Sequence, residues 1–113
     1  MSHHDDSIRL RHMLDACREA VQFSQGRSRG DLDSDRLFQL AMVRLVEIIG
    51  EAASRLSKET HAASANIPWP QIISTRNRLI HGYDQIDHDI LWNILTQDLP
   101  PLIPALDDIL SKS

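Results

Sequence analysis

Apolar residues recur at three- and four-residue steps from Asp6 to about Ser24, where Leu10, Met13, Leu14, Cys17, Ala20 and Val21 share one face. Asp5 or Asp6 supplies a carboxylate for the first turn, so the pattern predicts a first helix over this span. The following stretch, Ser24 to Asp31, holds two glycines and no large apolar residue, and reads as a loop. A second helix is predicted from about Ser34 to Leu56, capped by Asp33 or Ser34. Its face comprises Leu37, Leu40, Ala41, Leu45, Ile48, Ile49, Ala52 and Leu56, and Phe38, Met42, Val43 and Val46 widen it beyond what a helix covered on one side needs. Such a helix is either central or meets a partner. Gly50 interrupts it at a cost of about 1 kcal/mol relative to alanine, which points to close approach of another backbone there.

Residues 57–66 are polar and alanine-rich, a loop with room for one helical turn. Pro68 and Pro70 fit a helix start near Trp69, because proline is tolerated in a first turn. That third helix is predicted to run through Ile72, Ile73, Thr75, Leu79 and Ile80 to a stop at Gly82. A fourth follows Asp87 and carries Ile90, Leu91, Ile94 and Leu95 until Pro100-Pro101 breaks or kinks it, and Leu102, Leu106, Ile109 and Leu110 mark a last short helix. With no period-two segment and no repeat, the fold expected is an all-α bundle of four to five helices, one domain over 1–113 with a loose tail at 1–6.

Composition narrows the function without naming it. The chain has 113 residues, 42% hydrophobic and 25% charged, as in ordinary globular domains. No apolar run approaches the roughly 20 residues of a membrane span and the N-terminus lacks a leader pattern, so the expectation is a cytoplasmic protein without membrane contact. A net charge of −4 argues against a broad basic surface, so any nucleic acid would be held at a local patch. Cys17 is the single cysteine and sits among helix-core residues, which reads as an inert thiol. His3, His4, Asp5 and Asp6 are metal-ligand types in a tail and are assigned no site. Trp69 and Trp92, beside apolar helical positions, read as core or interface anchors. No cofactor and no metal is called for.

Chemistry-bearing groups concentrate in Thr75-Arg76-Asn77-Arg78-Leu79-Ile80-His81-Gly82-Tyr83. On a continuous helix Asn77 and His81 would share a face at i and i+4, with Asn77 placed to orient the imidazole, and Arg78 would neighbour His81 at i and i+3. Arg76 would lie about 140° round from His81, so it would have to reach round, await an unwound helix, or act across a dimer. Each residue also has a plainer reading, since cations and a histidine near a helix C-terminus are favoured by about 0.3 to 1 kcal/mol. Physics alone leaves both readings open.

The octapeptide Arg76-Asn77-Arg78-Leu79-Ile80-His81-Gly82-Tyr83 resembles the R-x-x-x-x-H-x-Y motif of HepT-like HEPN proteins. Ile49-Gly50-Glu51-Ala52-Ala53, Ile67-Pro68-Trp69, Trp92 and Asp98-Leu99-Pro100 resemble the same family, over roughly Ile8 to Leu110. The resemblance implies a helical homodimer whose two motifs face one cleft. It also implies a metal-independent ribonuclease with catalytic Arg76 and His81, acting on transfer RNA or messenger RNA. Such proteins are toxins of a type VII-like pair, silenced by a minimal nucleotidyltransferase antitoxin that adds AMP to the motif tyrosine, here Tyr83. Beside it, Arg78 reads as a second phosphate contact, and Glu51 either as a hydrogen-bond partner for a motif arginine or as a solvated surface glutamate. Two other readings stay open: a non-catalytic module that presents a nucleotide or substrate to the nucleotidyltransferase, and a structural dimerisation bundle in which His81 only caps a helix.

Overall fold

The computed structural model describes residues 3–80 and 85–112. The fold is all-α: among the described residues there is no strand, only an isolated antiparallel bridge between Ile80 and Ile86. Helix α1 (His3–Ser24) lies along α3 and α8 and buries Leu10, Met13, Leu14, Cys17 and Ala20 between them. It begins earlier than the pattern predicts, and the expectation of a loose tail over 1–6 fails at its inner end. Asp6 is buried and accepts hydrogen bonds from the Ser57 backbone N–H and from the hydroxyls of Ser57 and Thr60. Burial opposes ionisation of this carboxyl, but the three hydrogen bonds outweigh it and hold its pKa below the ordinary value. The opposite end of α1 closes with the Ser24 hydroxyl turned back to the Ala20 and Val21 carbonyls. Cys17 is fully buried, and desolvation pushes its thiol up to about 12, consistent with an inert core residue.

The loop expected after Ser24 contains one added element. Gly26 adopts a φ of 73°, the left-handed region glycine enters without steric penalty, and a single turn α2 (Asp31–Ser34) follows, pinned by buried Leu32. Asp33 and Ser34 are therefore spent inside α2. The cap of α3 (Arg36–Ser54) is Asp35 instead, which accepts from the Phe38 N–H. Arg27 bridges Asp31 and Asp35 and lies over the Phe38 ring at 4.1 Å from its centroid.

Helix α3 crosses the core, and the predicted face holds over its second half, where Ile49, Ala52 and, just beyond the helix, Leu56 are buried, but not over its first. Phe38, Met42, Val46, Ile49 and Ala53 are buried, whereas Leu37 is 80% and Leu40 48% exposed and Ala41 is also exposed. Helix α4 (Lys58–Ala63) is the expected extra turn, capped by the Ser57 hydroxyl. The predicted third helix is two: α5 (Trp69–Ile73) and α6 (Thr75–Leu79) break at Ser74. Trp69 is a buried core anchor whose indole N–H donates to the Ser64 carbonyl.

Helix α7 (His88–Asn93) follows Asp87 as predicted, is capped by its side chain, and does not stop at the prolines. It runs through a π-helical turn (Ile94–Asp98), where the Leu99 N–H reaches back five residues to Ile94, into α8 (Leu99–Lys112). Pro100 and Pro101 thus follow the π turn directly; they bring no N–H to the carbonyls before them, and the wider π turn takes up the change of register. No helix among the described residues is long and apolar enough to cross a membrane.

Candidate functional site

The first part of the polar cluster, Thr75 to Arg78, sits on α6, and the two ends of this helix are tied down. Thr75 is buried and its hydroxyl donates to the Ile72 carbonyl at 2.6 Å, with the Gln71 carbonyl at 3.1 Å, which fixes α6 to α5 across the Ser74 break. Leu79, 1% exposed, anchors the other end in the core. Between these two pins Arg76 and Asn77 stand exposed and Arg78 is half-buried. After Leu79 the backbone becomes extended at Ile80, which bridges Ile86, while the Asp87 N–H donates to the Leu79 carbonyl at 2.8 Å. Helical geometry therefore ends before residue 81, and the i, i+4 and i, i+3 relations expected of Asn77 and Arg78 with His81 do not rest on a helix. His81 and Tyr83 lie outside the described residues, as do Gly82 and Asp84.

The chain that returns from this segment is anchored as well. His88, at the start of α7, hydrogen-bonds Asp33 through Nδ1 and Gln39 through Nε2, and Arg29 joins Asp33 to Asp89. The His88 hydrogen bond and the Arg29 charge hold the Asp33 carboxyl below its ordinary pKa. Both flanks of residues 81–84 are thus fixed to the bundle.

Arg76 and Arg78 project into different grooves. Arg76 faces α3 across a polar cleft of about 430 Å³ shared with Arg44, Glu47, Gly50, Glu51 and Ser54. Its nearest carboxylate is Glu47, at 3.5 Å. Glu51, the carboxylate singled out from the sequence, lines the same cleft but pairs with Arg55 on its own helix at 2.9 Å. Glu47 was missed because it stands within an apolar run; the available signal was its i, i+3 spacing from Gly50, which places both toward α5. Arg44 makes no ion pair among the described residues and adds a second cation to the cleft. On the other side Arg78 meets Asp98, of the π turn, at 3.8 Å, at the mouth of a cavity of about 350 Å³ between α3, α5, the π turn and α8.

Both arginine pairs are open to solvent, where such contacts contribute about 0 to 1 kcal/mol. A phosphate offering bidentate, charge-assisted hydrogen bonds would compete well with either carboxylate. The described residues therefore provide two displaceable anion contacts on opposite sides of one short helix, next to the segment that carries the histidine and the phenol.

A family profile described as "Ribonuclease HepT-like" matches residues 13–109. A protein of Caldanaerobacter subterraneus subsp. tengcongensis named "Putative RNase" is 34% identical over 103 residues, covering 91% of this chain and 92% of its own. One of the same name from Methanocaldococcus jannaschii is 29% identical over 102 residues, 90% and 94% of the two chains. A "Probable ribonuclease HepT" of Thermococcus cleftensis is 35% identical over 72 residues, 64% of this chain and 66% of that protein. No solved structure gives a significant match.

Proposed function

The chain belongs to the HepT-like ribonuclease family of HEPN proteins, and from that premise we propose that it is a metal-independent endoribonuclease, the toxin of a type VII-like HEPN/minimal nucleotidyltransferase pair. The observation that supports this reading best is the setting of Arg76: exposed, beside a displaceable carboxylate, on a helix that ends directly before the motif histidine.

In the proposed reaction His81 takes the proton of a ribose 2′-OH, whose oxygen attacks the adjacent phosphorus. The 5′ oxygen leaves with a proton from the second copy of His81 in a homodimer. Arg76 holds the non-bridging phosphate oxygens and stabilises the charge that grows there, and Arg78 takes a neighbouring phosphate. Asn77 orients the imidazole. The products carry a 2′,3′-cyclic phosphate and a 5′-hydroxyl. AMP transferred to the Tyr83 phenol by the cognate nucleotidyltransferase would put bulk and negative charge where RNA phosphate must lie, which would silence the enzyme.

The test is incubation with total cellular RNA in EDTA of four samples: wild type, Arg76→Ala, His81→Ala, and protein coexpressed with its neighbouring gene product. Cleavage by wild type alone, leaving cyclic phosphate ends, is the expected result. Free 3′-hydroxyl ends would overturn the chemistry, and absence of cleavage in every sample would replace it with the non-catalytic nucleotide-presenting module. For the modification, the expected mass gain on coexpression must vanish in Tyr83→Phe.

A further inference from the structure

Apart from Arg78 at its mouth, the cavity on this side of α6 takes no part in the proposed cleavage, yet it is a well-formed and mostly apolar concavity. Its volume of about 350 Å³ falls at the lower end of the roughly 300 to 1,000 Å³ of small-molecule sites, room for one ring system with its sugar and too little for a partner's helix. The aliphatic side chains of Ile49, Ile72, Ile94 and Leu102 form its walls. The π-helical turn builds one side, and such turns are frequent at functional sites because they re-aim side chains and backbone.

The polar groups at this cavity are of a particular kind. Asn66, Gln71 and Gln97 line it, and their side chains are exposed, so their amides face solvent at its rim. Asp98 adds a carboxylate acceptor and Arg78 a cation at the same mouth. Solvent-facing amides and a carboxylate around an apolar slot match a flat heterocycle with a donor and acceptor edge. Amide side chains pair with adenine, and a carboxylate accepts from the exocyclic amine of cytosine or adenine. An arginine at the opening would hold the phosphate attached to that heterocycle. Protein recognition of single-stranded RNA works in this way, on bases splayed out of the stack.

We propose that this cavity binds one unstacked, amino-bearing base, adenine or cytosine, of the RNA strand, with Arg78 on its phosphate, so that cutting occurs at a fixed distance from such a base. The proposal rests on the ribonuclease reading for its biological consequence, but the site itself is tested without cleavage. AMP, CMP and UMP are titrated separately into isotopically labelled protein, wild type and the exposed double variant Gln71→Ala with Gln97→Ala, and NMR signals of Ile94, Leu102 and Ala105 are followed.

AMP or CMP should shift these signals with at least roughly tenfold tighter binding than UMP, the equivalent of about 1.4 kcal/mol, and the double variant should lose that preference. A pocket-filling Ala105→Phe, checked for unchanged helicity, should abolish binding. Absence of shifts in wild type, equal response to all three nucleotides, or unaltered binding in both variants would overturn the site. In parallel, cut positions in total RNA are sequenced. A common adenine or cytosine near the cuts that disappears in the double variant supports the RNA-strand assignment. Cuts unaffected by the variant, with mononucleotide binding intact, would reject it in favour of a free-nucleotide site. Nucleotide binding with no RNA cleavage at all would reject the ribonuclease reading and leave the base pocket standing.

Discussion

Gly50 of α3 passes so close to Ile72 of α5 that a methyl group in its place would lie 3.1 Å from the Ile72 carbonyl oxygen. That oxygen also accepts the Thr75 hydroxyl, so it cannot retreat without disturbing the start of α6, and α6 carries Arg76. For Gly50→Ala the gain in helix propensity of about 1 kcal/mol opposes a mild clash, and stability should stay near that of wild type. Gly50→Val brings two further carbons against backbone and should destabilise by about 1 to 3 kcal/mol. Urea unfolding of the two variants checks the pair; equal stability would mean that α5 moves freely away from α3.

Glu47 stands where a phosphate on Arg76 would have to compete with it. In Glu47→Gln the guanidinium loses its charged partner at 3.5 Å but keeps its place over the cleft. RNA binding should strengthen, and because the pair is exposed the stability should change by no more than about 1 kcal/mol. Filter binding to RNA at two salt concentrations measures this. Weaker binding in Glu47→Gln would show instead that the carboxylate is needed to aim Arg76.

The gap between pattern and structure has a physical cause at each point. Gly50 was readable because a glycine inside a long apolar helix has few reasons to be there. The inward face of α3 over its first half was not, since Leu37 and Leu40 are as apolar as Phe38 and Met42, and periodicity reports an apolar stripe without saying what lies against it. The break at Ser74 carries no glycine or proline, and arises where the Thr75 hydroxyl competes for carbonyls of the preceding turn. Proline signalled a change at Pro100, but a π turn carries the helix past it, so a continued helix and a terminated one look alike. The motif itself was legible by its residue types; that Arg76 and Arg78 open onto separate grooves required the backbone.

Asp6 ties the start of α1 to the cap of α4. Its carboxyl titrates below 3.8 when folded, so the stabilisation from its ionised form is complete above that unfolded value and disappears as pH falls through the lower folded one. Asp6→Asn should cost about 1 to 3 kcal/mol at neutral pH, the usual effect of weakening buried hydrogen bonds to a charged acceptor. The gap between variant and wild type should shrink toward pH 3 and below. Thermal melts across pH 2.5 to 7, roughly the carboxylate range, test this; a constant difference would remove ionisation of Asp6 from the account.

Leu37, Leu40 and Ala41 form an exposed apolar strip on α3, and Arg44, one turn further along the same helix, leads from it to the cleft that holds Arg76. A second copy of the chain packed on this strip would therefore reach the edge of the motif cleft, the arrangement that a two-histidine mechanism needs. Leu37→Glu combined with Leu40→Glu puts two like charges on that strip without touching the core, so helicity and melting should stay near wild type. Sedimentation should show a dimer for wild type and a monomer for the double variant, and RNA cleavage should fall at least tenfold, about 1.4 kcal/mol or more in activation free energy, although Arg76 and His81 are intact. A double variant that remains dimeric would place the contact elsewhere on the bundle, and a monomer that cuts at the wild-type rate would show that one copy of the motif suffices.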